Sequence, residues 1–202
     1  MQIEIDRPTI PSTFTDPEKH AAAISAPRTV VVFGMPRGGT TMVAGICQRC
    51  GIHMGSDLPR NLEDQDFVGK SHDHMINAIK QRDQQFNVWG WKFPRAAAYL
   101  SDLQNALRNP MFILVWRDAL SVATRGAKNT GDLNKSLSVA HSIQTQNLKF
   151  VSQTSAPILH VSYEKAVRHP VKLAEDVQAF TGVTDELDHD DITAFATPGT
   201  YK

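Results

Sequence analysis

The sequence predicts an α/β fold, three layers (αβα) around a central parallel sheet, and three observations carry this. Short apolar, β-branched runs recur along the chain, each is followed by a stretch with helical spacing, and a glycine-rich turn joins the first run to its helix. Strands that alternate with helices pair in parallel through crossovers of the usual right hand, which cover both faces of the sheet.

Residues 1–27 are rich in Pro, Thr and charge without periodicity, and are expected to form an irregular N-terminal arm before a single domain over 28–202. TVVVFG (29–34) has the composition of a buried parallel strand, and TTMVAGICQRC (40–50) of the helix after it. MINAIKQR (75–82) has helical apolar spacing. NVWGWKFP (87–94) is a strand stopped by Pro94, with the helix RAAAYLSDLQNAL (95–107) behind it. MFILVWRD (111–118) is a second buried strand, followed by the helix ALSVATRGA (119–127) and the amphipathic helix NKSLSVAHSIQTQNLKFVSQ (134–153). APILHVSYE (156–164) is a further strand, and HPVKLAEDVQAFTGV (169–183) a helix closed by Gly182.

The chain of 202 residues is long enough to bury one sizeable core. Its 21 basic and 21 acidic side chains cancel, which argues against broad binding of nucleic acid or an acidic membrane surface and leaves room for a local basic pocket. No apolar run approaches the roughly 20 residues of a membrane span. The first residues carry acids and prolines rather than a basic and then apolar leader, and two cysteines make no disulfide framework, so a cytoplasmic protein is expected. Cys47 and Cys50, with His53 beyond, lack the second pair a zinc site needs and are read as packed helix residues.

The glycine-rich turn carries the chemistry. Gly34-x4-Gly39-Thr40-Thr41 has the spacing of a phosphate-cradling P-loop, which places the whole domain in a P-loop NTPase-like topology. Such a turn gathers backbone N–H groups around an anion at the positive end of a helix. Gly38 and Gly39 allow close approach, and Thr40 and Thr41 add hydroxyl donors. Thr40, however, stands where an ATP- or GTP-binding loop carries lysine. The cation inside the loop is Arg37, whose planar fork suits an oxyanion.

GMPRGGTT (34–41) resembles the 5′-phosphosulfate loop of sulfotransferases, which move a sulfuryl group from 3′-phosphoadenosine 5′-phosphosulfate (PAPS) to a hydroxyl or amine. WGWKFPR (89–95) is similar to the strand that presents the family's catalytic lysine, and it assigns that role to Lys92, with Pro94 where cytosolic members have a catalytic histidine. The likeness is therefore closer to the bacterial and carbohydrate-directed members. FILVWRDALSVATR (112–125) resembles the segment whose arginine and serine hold the 3′-phosphate. Arg117 matches the arginine, while Arg125 stands at the serine's position. Either Arg125 adds a second guanidinium there, or Thr124 or Ser121 does the serine's work. ILHVSYEKAVRHPVKLAEDVQAFTGV (158–183) resembles the family's Tyr-Glu helix, with Tyr163 at the tyrosine near the adenine. The resemblance thus implies PAPS held by Pro36, Arg37, Gly38, Gly39, Thr40, Thr41, Arg117, Arg125 and Tyr163, adenosine 3′,5′-bisphosphate as product, and no metal.

For the acceptor's base, NLEDQDF (61–67) loosely matches a family segment with a glutamate facing the acceptor, so Glu63 is the first candidate and His72 the second. The acceptor, a small alcohol, glycan or lipid, is expected among residues 52–85, 126–135 and the tail. GAKNTGDLNKS (126–136) is a candidate lid, and WGW with Phe67 a candidate apolar or sugar-stacking wall. The family's C-terminal R-K-G clamp has no match in TPGTYK (197–202), which leaves Arg125 or Lys202 for that role, or no clamp. Two other readings stand beside this one. One is an atypical P-loop small-molecule kinase, in which Asp118 would hold Mg²⁺ rather than cap a helix. The other is a sulfotransferase-like domain that binds nucleotide without catalysis.

Overall fold

A computed structural model describes residues 6–11 and 17–197. Nine helices and five strands follow in the order β1 (Thr9–Pro11), α1 (Pro17–Ser25), β2 (Arg28–Gly34), α2 (Thr40–Arg49), α3 (His72–Gln85), β3 (Val88–Lys92), α4 (Ala97–Leu103), β4 (Pro110–Trp116), α5 (Ala119–Thr130), α6 (Leu133–Gln153), β5 (Ile158–Ser162), α7 (Tyr163–Arg168), α8 (Pro170–Thr181) and α9 (His189–Ala196) among the described residues. The sheet order is β1-β5-β4-β2-β3. β2, β3, β4 and β5 run parallel, as the alternation of strands and helices requires.

β2 is buried along its whole length and sits between β4 and β3. Because side chains alternate across a strand, its valines divide between two cores. Val30 and Val32 pack on one face with Met42, Ile46, Leu173 and Val177 from α2 and α8. Val31 and Phe33 pack on the other with Trp89, Leu100 and Phe150. A third, small cluster joins Met35 to Val122, Ala140 and Ile143, and so seats the α5–α6 hairpin beside the loop that leaves β2. Cys47 and Cys50 are fully buried core residues, as expected.

Three expectations need correction. The segment before Arg28 is not irregular throughout: β1 adds to the sheet antiparallel to β5, and α1 follows it. The Ser162 N–H donates to the Pro8 carbonyl, while Arg7 and Thr9 both bond to the buried Asp176 carboxylate of α8, at 3.0 and 2.5 Å. The strand expected to reach Glu164 stops at Ser162, and Tyr163 already opens α7. WGW and Phe67 form no exposed wall. Trp89, Trp91 and Phe67 are fully buried, Phe67 stacked on Trp91 with ring centres 4.0 Å apart. The tail residue Lys202 lies outside the described residues.

Candidate anion-binding site

Four parallel strands bring one site element each to their C-terminal ends, where open α/β sheets bind ligands. β2 delivers the loop 35–39, β4 delivers Arg117, β5 delivers Tyr163 and β3 delivers Lys92. The loop is crowded from its first residue, since a Cβ on Gly34 would lie 2.5 Å from the Val115 carbonyl oxygen. Asn147, buried on α6, donates to the Gly34 carbonyl at 3.1 Å. The Gly38 N–H donates to the Met35 carbonyl at 2.9 Å, so this amide closes a turn instead of facing a ligand. Gly39 caps α2 with φ at 94°, in the left-handed region that favours glycine. A Cβ there would also strike the Tyr163 ring at 2.0 Å.

Over the start of α2 lies a cavity of about 370 Å³, lined by four guanidinium groups: Arg37, Arg60, Arg117 and Arg125. Tyr163 and Gly39 also line it, and Thr41 and Asn61 form one side. No carboxylate lines it among the described residues. Arg117 is held on three sides. Its Nη1 donates to the Arg37 carbonyl at 2.9 Å, its guanidinium stands 4.2 Å above the Tyr163 ring, and Glu164 lies 4.0 Å from its Nε. That Nε is buried with no hydrogen-bond acceptor. The Arg37 guanidinium donates to the Arg125 carbonyl, and Arg37 itself has φ at 63°, unusual for a residue with a Cβ. These contacts fix a cationic rim with donors to spare.

Of the expected site residues, Arg37, Gly39, Thr41, Arg117, Arg125 and Tyr163 meet at this cavity. Thr124 and Ser121 do not line it: the Thr124 hydroxyl donates to the Leu120 carbonyl, and the Ser121 N–H to the Asp118 carboxylate. Asp118 is the N-cap of α5, and its carboxyl sits below the usual range because it accepts that bond. Thr40 is buried in the first turn of α2, and Pro36 faces a different cavity. Sequence reasoning missed Arg60. It is brought in by a tertiary contact, the Thr41 hydroxyl donating to the Asn61 carbonyl at 3.1 Å, which pins the 60–61 segment beside α2.

Lys92 is almost fully buried at the end of β3, and its Nζ meets the Glu63 carboxylate at 3.1 Å. Burial pushes the Lys92 ammonium below its ordinary pKa, with the Glu63 charge and hydrogen bond opposing that shift. Glu63 is two residues from Asn61, a residue of the cavity wall, whose side-chain oxygen accepts the Glu63 N–H at 3.2 Å; neither Glu63 nor Lys92 lines the cavity itself. His72 is placed elsewhere. It opens α3 with its side chain half exposed and its Nε2 3.8 Å from Asp102.

The chain matches no protein-family model and no curated protein. It does match solved structures. The sulfotransferase domain of the Synechococcus PCC 7002 olefin synthase aligns with a TM-score of 0.55 at 16% identity, covering 87% of this chain and 79% of that one. The sulfotransferase domain from the curacin biosynthetic pathway aligns at 0.51 and 16% identity, covering 80% and 75%. The sulfotransferase STF1 of Mycobacterium tuberculosis H37Rv aligns at 0.54 and 11% identity, covering 89% and 73%. The likeness at these identities is one of fold: this chain, a five-stranded sheet flanked by helices, has the fold of the sulfotransferase domains.

Proposed function

We propose that the protein transfers a sulfuryl group from PAPS to a hydroxyl or amine acceptor. The observation that carries this reading is the cavity's charge: four arginines converge on the start of α2 with no lining carboxylate among the described residues, and the buried Nε of Arg117 lacks an acceptor. A ligand with two separated phosphate-type groups and an aromatic base fits such a rim. Arg37 and the amides at the start of α2 would hold the 5′ side, and Arg117, Arg125 and Arg60 the 3′-phosphate. The Tyr163 ring would meet the base. Arg60 and Arg125 together would supply the clamp that the tail does not display.

Bound there, the donor passes its sulfuryl group to the acceptor atom: a bond forms from that atom to sulfur, and the bond from sulfur to the bridging oxygen breaks with its electron pair left on the phosphate oxygen. The residues then have separable tasks. Arg37 answers the charge that grows on the phosphate. Glu63 takes the acceptor's proton, and Lys92 holds that carboxylate in place. In this reading the missing NTPase lysine follows from the ligand, which has no γ-phosphate.

Calorimetric titration with adenosine 3′,5′-bisphosphate beside Mg·ATP tests the proposal. Micromolar binding of the first and none of the second is expected, and Arg117→Ala should weaken the first roughly 10- to 100-fold, the range for a lost charged hydrogen bond. Preference for Mg·ATP would overturn it in favour of a kinase.

A further inference from the structure

A second cavity, of about 190 Å³, lies on the other side of Arg37, between the loop and the α5–α6 hairpin. Its inner wall is apolar: Met35, Val122, Ala140 and Ile143, the same residues that seat the hairpin. Val139 lines it too while 45% exposed, so the apolar wall continues to an open mouth. The rim carries Arg95 and Lys135, both exposed, and the lining includes no carboxylate among the described residues. Neither side chain has an ion-pair partner among the described residues, in contrast to Arg82, which meets Asp64 and Asp66. Arg37 lines both cavities, so whatever occupies one is a single side chain away from the other.

We propose that this second cavity binds an amphiphilic anion: an apolar chain whose single negative group rests against Arg95 and Lys135. This ligand class rests on the cavity alone. An apolar wall selects for hydrocarbon by area, and two unpaired cations at the mouth select for a monoanion over a neutral or cationic chain of equal length. A Cβ on Gly126 would stand 3.3 Å from the Ser136 hydroxyl oxygen, so the glycine lets α5 and α6 come close where both line the cavity.

The test uses the full chain and simple probes: octanoate, hexanoate, octanol and octylammonium, titrated calorimetrically and followed by methyl NMR. Octanoate should bind at one site and shift the Val139 and Ile143 methyl signals. Hexanoate, shorter by two methylenes, should bind about 15-fold more weakly, since each buried methylene is worth about fourfold. Octylammonium should not bind. Arg95→Glu and Lys135→Glu, both at exposed positions, should each lower octanoate affinity about tenfold and leave octanol unchanged. Equal binding of octanoate and octylammonium, no dependence on chain length, or shifts confined to other methyls would overturn the proposal.

Discussion

Two clusters of charge lie within a few residues of one another, and they are built on opposite plans. In the cluster that holds Lys92, cations face acids: Lys92 meets Glu63 at 3.1 Å, and Arg82 meets Asp64 at 2.5 Å and Asp66 at 2.9 Å. Around the start of α2, four arginines gather with no acid among the described lining residues, and their protein contacts are largely backbone carbonyls and an aromatic face. Matched charge under burial holds geometry. Unmatched charge facing a cavity holds affinity for something that arrives later. The comparison teaches that Lys92 and Arg117, alike in sequence as cations at strand ends, part company once their partners are known: one faces an acid, the other a backbone carbonyl and an aromatic ring.

The contrast can be broken most strongly on its matched side. Glu63→Ala leaves the buried Lys92 ammonium without its acid and should cost about 3 kcal/mol in chemical denaturation, whereas Glu63→Leu combined with Lys92→Met should recover most of it. Equal losses in the single and double variants would mean that the pair holds nothing in place. On the unmatched side, Gly39→Ala combines a left-handed φ with a Cβ driven into Tyr163, and about 2 kcal/mol of stability should go along with binding of adenosine 3′,5′-bisphosphate. Arg60→Ala sharpens the distinction. It should change stability by less than about 0.5 kcal/mol while lowering bisphosphate affinity roughly tenfold, with a shallower salt dependence.

The smallest effect concerns His160, whose Nδ1 accepts the Trp116 indole N–H at 3.0 Å just before Arg117. Burial pushes this imidazole below its ordinary pKa of 6.5. The folded state therefore holds fewer protons than the unfolded state as pH falls below 6.5. The stability this contributes is complete above pH 6.5 and is lost as pH falls through the lowered pKa. His160→Gln, which keeps an acceptor for the indole, should flatten that part of the stability-against-pH curve. An unchanged slope would show that other groups set it.

Much of the frame was legible because β-branched runs such as TVVVFG leave few choices of structure, and because strand ends are where Arg117 and the loop had to lie. What escaped was decided by distant partners. Arg60 is one more charged residue in a polar loop until the Thr41–Asn61 bond pins its neighbour. β1 is three residues long, too short for any periodicity, and exists through its pairing with β5. Tyr163 favours strands by its aromatic ring, yet it opens a helix, with its ring packed on Gly39. His72 was a candidate by proximity in sequence, and α3 carries it to Asp102 instead. α9 was legible and passed over: Asp188 caps it and Asp190 and Asp191 fill its first turn.

The antiparallel edge strand has a practical meaning for anyone handling this protein. A version trimmed to begin at Arg28 would strip β5 of the neighbour that screens its outer backbone groups, and it would leave the Asp176 carboxylate, 3% exposed, with Lys172 as its remaining ion-pair partner among the described residues. Such a molecule would carry a bare, sticky margin able to recruit a second copy, so a short piece of leading chain acts as the guard against self-association.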